Sequence, residues 1–341
     1  MISAVMASFA GTELSLDEAK VLKKLCPAGV SLFRRNIVSP QQLSKLTSSL
    51  KELLGEDLLI AVDQEGGRVR RLAEPYWRSY ASQYMLGLVS DNICEMHAEL
   101  IAEDLHACGI NFNYAPVLDT CYPETHPVLK SRCFAGNVSQ KGKIMAETYC
   151  RNGICPCIKH LPGHGRAQTD PHLGLPIINC SLKDYQKDMQ PFIDNNRIPA
   201  GMTAHIVLPE VDEGLPITMS ACAIDKIIRG KIGFSGLLIS DAVDMKALSG
   251  SLEEKTTSAL RAGCDLVCYC GGNIDDLLKL ASLNIQITSA CAERLDKIKQ
   301  IIRREQKDFA DYQAYQRAIG SVPPYADTYD ATEVLNLMQK N

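Results

Sequence analysis

The chain has 341 residues, 46% hydrophobic and 22% charged, the proportions of an ordinary soluble globular protein. Forty acidic residues against 36 basic ones give a net charge of -4 with no basic block, which argues against a nucleic-acid partner. No uncharged apolar run approaches membrane-spanning length, and Met1-Ile2-Ser3-Ala4-Val5-Met6 lacks the basic n-region of a signal peptide, so a cytoplasmic location is expected.

The chain alternates short apolar runs with amphipathic helical patterns eight times. The first run, Ala4 to Phe9, is followed by a helix opened by Ser15, with Asp17 and Glu18 in its first turn, as a helix N-terminus prefers. The second, Val30 to Phe33, ends in Arg34-Arg35-Asn36, and Ser39-Pro40 opens the next helix. The third, Leu58 to Val62, runs into Asp63-Gln64-Glu65-Gly66-Gly67-Arg68. The fourth, Ile110 to Leu118, follows a helix from about Asn92 to Cys108 and ends at Asp119. The fifth, Ile154 to Ile158, delivers Lys159-His160, a Gly-rich turn and a loop carrying Asp170 and His172. The sixth, Ala200 to Leu208, contains His205; the seventh, Gly236 to Ile239, ends in Ser240-Asp241; the eighth is Leu266 to Tyr269. Helices from about Asp275 to Leu283 and Thr288 to Glu305 follow.

Strands alternating with helices predict βαβ units and a parallel sheet. Eight of them predict a single-domain (β/α)8 TIM-type barrel over residues 1–310. Residues 311–341 form a C-terminal tail, packed on the barrel or partly disordered. A dinucleotide-binding open sheet is disfavoured, because no Gly-x-Gly-x-x-Gly follows the first strand. Asp63, Asp119, Lys159, His160, His205 and Asp241 all fall near strand C-terminal ends, where a barrel carries its active site. The fourteen cysteines show no Cys-x-x-Cys spacing, and Cys155-Pro156-Cys157 and Cys268-Tyr269-Cys270 lie within predicted strands. They read as buried free thiols rather than disulfides.

Three features carry chemistry. Asp241 leaves an apolar strand at the barrel rim, where partial burial would keep a carboxylate reactive toward an electrophilic carbon. Its plain alternative is a cap for a helix starting near Val243, with Asp244 as rival. Asp170 and His172, two apart on an extended loop, can pair so that the carboxylate orients the imidazole and holds its charge. Their alternative is a solvated Gly/Pro-rich connection. Asp63, followed by a turn and Arg68, Arg70 and Arg71, reads as a ligand cluster or as an ion-pair network.

Several of these stretches together resemble a known family. They are Leu32-Phe33-Arg34-Arg35-Asn36-Ile37, Asp63-Gln64-Glu65-Gly66-Gly67-Arg68-Val69 and Tyr114-Ala115-Pro116-Val117-Leu118-Asp119. Lys159-His160-Leu161-Pro162-Gly163-His164-Gly165, Met202-Thr203-Ala204-His205 and the run from Gly233 to Met245 complete the set. Over roughly residues 3 to 300 the chain resembles the β-N-acetylhexosaminidases of glycoside hydrolase family 3, single-domain NagZ type.

The resemblance implies release of terminal non-reducing β-linked N-acetylglucosamine with retention of configuration, from peptidoglycan-recycling fragments. In its pattern Asp241 matches the catalytic nucleophile, His172 the general acid/base and Asp170 the carboxylate that polarises it. Asp63, Arg71, Arg132, Lys159 and His160 match positions that hold the sugar hydroxyls. Two departures stand out. Pro171 replaces a small hydroxyl residue between Asp170 and His172, and Leu129-Lys130-Ser131-Arg132 lacks the usual Gly-Asp before its arginine. The implied partner is a small saccharide or muropeptide, with no nucleic acid, membrane or cofactor, and a monomer is expected. Two other readings are a phosphorylase, since an imidazole acid/base does not repel phosphate, and a metal-dependent barrel hydrolase built on His160, His164, His172 and His205 with Asp63 and Asp119.

Overall fold

A computed structural model of the protein describes residues 2–169 and 174–325. The eight runs form strands β1 (Ser3–Ala7), β2 (Pro27–Leu32), β3 (Leu59–Val62) and β4 (Phe112–Asn113), then β5 (Cys155–Leu161), β6 (Ala200–Thr203), β7 (Leu237–Ala242) and β8 (Leu266–Cys268). They pair in parallel in sequence order, and β8 returns to β1 to close the barrel. Closure removes every sheet edge, and a ring of helices covers the outer face, so the strands are apolar on both sides. The period of two along each strand divides the core into two layers. Met6, Leu59, Phe112, Cys157, Met202, Ile239 and Cys268 fill the barrel interior. Their neighbours Val5, Ile60, Ile158, Leu238 and Val267 pack outward on the helices.

Local chemistry sets the helix starts. Ser15 caps the helix Leu16–Leu25 in a reciprocal box, its hydroxyl accepting from the Glu18 amide and the Glu18 carboxylate accepting from the Ser15 amide. Ser39 accepts from the Gln42 amide, and Pro40 begins the helix Pro40–Leu54. The helix Ser289–Ile302 closes the barrel from below: its Cys291, Leu295 and Ile298 join the interior cluster. The helix Tyr312–Gly320 is pinned by buried Tyr315, whose hydroxyl accepts from the Ala81 amide at 2.9 Å and meets His97 Nδ1 at 2.8 Å.

Some boundaries differ from those read in the sequence. The fourth strand spans only two residues, because beyond it the chain bends at Pro116, which has no N–H to give to the ladder. β5 continues to Leu161 and β7 to Ala242, so Lys159, His160 and Asp241 lie within strands rather than beyond them. No helix begins near Val243; the next one, Leu252–Ala262, is capped by Ser251. The reading of Asp241 or Asp244 as a helix cap is therefore incorrect. Asp244 instead accepts from the Cys270 amide at 2.9 Å.

The expectation that the cysteines are all thiols is also corrected: Cys121 and Cys133 are disulfide-bonded. The excursion between β4 and β5 folds back on itself and packs Val128 and Leu129 beside these two residues in a small satellite cluster. No sequence spacing announces that fold-back. The other cysteines are free.

Candidate active site

The site is built at the C-terminal ends of the strands. The chain leaving β3 carries Asp63 and Glu65, and a sharp turn at Gly66 and Gly67 follows, with φ of +94° and +59°. A Cβ at Gly66 would stand 2.3 Å from the Ala81 carbonyl oxygen, so only glycine fits there. The turn brings Val69 back to accept from the Glu65 amide at 3.0 Å, and this returns Arg71 to Asp63. Arg71 Nη2 donates to Asp63 Oδ2 at 3.0 Å, and Lys159 Nζ, arriving from β5, donates to Asp63 Oδ1 at 2.8 Å.

Lys159 Nζ also lies 2.7 Å from Glu65 Oε1. Arg132, from the excursion between β4 and β5, donates through Nε and Nη2 to the two Glu65 oxygens, each at 2.8 Å. The result is one alternating chain of charges, Arg71, Asp63, Lys159, Glu65 and Arg132. Burial opposes ionisation of all the last four. For the carboxylates the facing cations win: Lys159 and Arg71 hold Asp63 far below the usual range, while Arg132 and Lys159 lower Glu65 to about 2. The two acids in turn raise Lys159 and Arg132 above their ordinary values. The four groups so shifted stay charged at any physiological pH.

Beside this chain, Asp119 is fully buried and accepts from His160 Nδ1 at 2.7 Å and from the His164 amide at 2.6 Å. Burial raises its carboxyl, but the imidazoles and these hydrogen bonds outweigh that and keep it low. A carboxylate only accepts, so His160 carries its proton on Nδ1. Nε2 then has no hydrogen bond among the described residues.

On β7, half-buried Asp241 accepts from the Ala242 amide through Oδ1 at 2.8 Å, and its own amide faces Thr203 Oγ1 at 3.4 Å. His205 secures the end of that strand: its Nε2 donates to the Ala242 carbonyl at 3.0 Å, while Nδ1 meets Thr218 Oγ1 at 2.8 Å. Burial lowers the His205 imidazole and also pulls buried His164 down to about 4, with the Asp241 charge pulling the other way on both. Asp241 thus acts on the same pair of rings that lie near His160.

The structure therefore joins Asp63, Arg71, Arg132 and Lys159 into one network, sets His160 beside it through Asp119, and holds Asp241 on the same rim. Asp170 and His172 lie outside the described residues. Sequence reading passed over Glu65, although it stands two residues past Asp63 and so on the same side of an extended chain. Asp119 reads in the sequence as a strand-end carboxylate or a metal ligand, and its hydrogen bond to His160 is not foreseen there. The metal-hydrolase reading counts His205 among its six candidate ligands, and both ring nitrogens of that residue are already bonded. Among the described residues no three metal-binding side chains converge.

Comparison with known proteins gives this geometry a family. Residues 3–303 match the glycosyl hydrolase family 3 N-terminal domain. A β-hexosaminidase of Bordetella avium is 34% identical over 295 residues, covering 82% of this chain and 84% of that protein. The native structure of NagZ from Neisseria gonorrhoeae superposes with a TM-score of 0.82 at 30% identity, covering 94% of this chain and 98% of that one. A second structure of that enzyme, in complex with N-trifluoroacetyl-D-glucosamine, gives a TM-score of 0.82 at 31% identity, covering 94% and 96% of the two chains. The chain belongs to glycoside hydrolase family 3 and is a β-hexosaminidase of the NagZ type.

Proposed function

We propose that this enzyme removes terminal β-linked N-acetylglucosamine by double displacement through a covalent glycosyl-Asp241 intermediate. The observation that supports this reading best is the placement of Asp241 on β7, on the rim that also carries the charged cradle of Asp63, Lys159 and Arg132. Hydroxyls of a sugar ring need acceptors and donors side by side, and the Asp63–Lys159 pair offers both. Such a cradle fixes the ring so that its anomeric carbon meets Asp241, converting attack into an intramolecular event. The binding of N-trifluoroacetyl-D-glucosamine by the gonococcal enzyme supports an N-acyl sugar as the bound unit.

His172, polarised by Asp170, is the acid/base. It protonates the leaving oxygen, then deprotonates the water that releases the sugar from Asp241. An imidazole with an ordinary pKa near 6.5 suits a group that must both give and take a proton near neutrality. Asp63, Arg71, Arg132, Lys159 and His160 bind the sugar, and the aglycone belongs to peptidoglycan-recycling fragments, an N-acetylglucosaminyl anhydro-muramyl peptide. The enzyme works as a cytoplasmic monomer, without a cofactor. Among the described residues no helix is long and apolar enough to cross a membrane.

The test is product stereochemistry. Proton NMR of an aryl β-N-acetylglucosaminide digest should show the β-anomer of the free sugar first, before mutarotation. An α-anomer formed first would exclude the double displacement. Running the same assay in phosphate and in a non-nucleophilic buffer separates hydrolysis from phosphorolysis, since only the latter yields a sugar 1-phosphate.

A further inference from the structure

The helix that closes the barrel from below has two working faces. Cys291, Leu295 and Ile298 enter the barrel interior. Arg294, Lys297 and Ile301 recur at intervals of three and four, which places them on another face as a single stripe, and Arg304 follows two residues past the helix end. That stripe forms one wall of a cavity of about 600 Å³. The helix Val138–Arg151 and the segments entering β6 and β7 form the rest. The cavity lies at the N-terminal ends of the strands, across the barrel from the candidate active site. Its volume is that of a small-molecule site, which typically spans roughly 300–1,000 Å³.

Its charge is one-sided. Five cations, Arg151, Arg197, Arg294, Lys297 and Arg304, meet one carboxylate, Glu147. Two of the five are neutralised from outside the cavity. Arg294 pairs with Asp265 at 2.6 Å, and Arg151 pairs with Glu95 and lies 3.5 Å from Asp308. Among the described residues the Arg304 guanidinium has only the Cys150 carbonyl, at 3.1 Å. Arg197 and Lys297 are exposed and have neither an ion pair nor a hydrogen bond among the described residues. Cations suit the C-terminal end of a helix, and that accounts for Arg304, two residues past the last helical residue Ile302. It does not account for Lys297, more than a turn from the helix end, nor for Arg197 in the connection to β6. In a chain of net charge -4, three cations with no ion pair among the described residues stand around one hollow against a single carboxylate, a local positive field that favours an anion.

We infer that this cavity binds a small organic diphosphate. Two guanidinium forks, Arg197 and Arg304, match phosphate oxygens in pairs, and Lys297 adds a point charge to the same lining. Ile198, Pro199 and Ile301 supply an apolar wall for the organic portion.

The test is calorimetric titration of the full chain with ADP, pyrophosphate, AMP and sulfate at low ionic strength. Saturable binding of ADP and pyrophosphate, each tighter than AMP or sulfate, supports a diphosphate site. ADP binding more tightly than pyrophosphate supports the apolar wall as the seat of the organic portion, and equal affinities would overturn that part of the assignment. The double variant Arg197→Ala, Lys297→Ala should weaken ADP binding by at least about tenfold, the effect of losing charge-assisted contacts. Its hydrolysis of an aryl N-acetylglucosaminide should be unchanged, which shows that it folds. No saturable binding, equal affinity for sulfate, or unaltered ADP binding by the folded variant would each overturn the site.

Discussion

Arg132 meets Glu65 edge-on, with Nε and Nη2 each 2.8 Å from a separate carboxylate oxygen. Both side chains are largely withdrawn from solvent, and Glu65 is 1% exposed. This pair, completed by Lys159, sets the cradle before any sugar arrives. Glu65→Ala would leave buried Arg132 without its carboxylate and Lys159 with Asp63 alone, and breaking a buried pair typically costs about 3–5 kcal/mol. A urea midpoint lowered accordingly, together with a raised KM, is the expected result. An unchanged midpoint would show that the cradle is not held by this carboxylate.

Asp119 orients His160 in the same way, through one hydrogen bond to Nδ1. Asp119→Ala should cost roughly 10²-fold in kcat/KM, the scale of a misplaced binding group. If His160 binds sugar, replacing either residue will slow natural disaccharides and activated aryl glycosides alike. Loss confined to substrates with poor leaving groups would instead make His160 the proton donor.

Asp241→Asn keeps the shape of the side chain and removes its nucleophilicity. The variant should melt close to the parent and hydrolyse nothing measurable. Activity like that of the parent, in a preparation free of contaminating enzyme, would overturn the assignment of Asp241.

Much of this was readable in the sequence, for physical reasons that can be named. The eight apolar runs had to be strands buried on both faces, and the polar residues after them marked the rim. Lys159 and Asp63 were visible because each ends such a run. Glu65 was not, because a carboxylate in a Gly-rich turn looks solvated until Arg132 is known to fold over it. That fold-back, 67 residues later in the chain, leaves no periodic signal. Nor does the Cys121–Cys133 bond, which depends on it. The helical pattern expected after Asp241 failed for a related reason, since Asp244 is drawn to the Cys270 amide rather than to a helix end.

Acid should weaken the fold before it touches the ordinary carboxylates. Burial lowers His164 from 6.5 to about 4, with neither ring nitrogen hydrogen-bonded among the described residues. Between these values the unfolded chain binds a proton that the folded one refuses, so stability rises with pH there and is lost as pH falls. The single ring contributes on the order of 3 kcal/mol across that window. His97, lowered to about 3 by burial, acts in the same direction. Urea unfolding at pH 7 and pH 5 should show a clear loss at the lower value. Equal stabilities at the two would contradict a neutral, buried His164.

The account rests most heavily on His172 as a single acid/base serving two steps through an Asp241-linked sugar. General acid–base assistance is typically worth roughly 10²–10⁴-fold. His172→Ala should therefore lose most activity on a natural disaccharide. On an activated aryl glycoside it should form the intermediate and then stall, because no group deprotonates water. Azide needs no deprotonation. The decisive measurement is the steady-state rate of this variant against azide concentration, with the anomer of the product identified by NMR. Rate recovery with a β-glycosyl azide, the outcome of two inversions, is the result predicted. No recovery, or an α-azide, would contradict it.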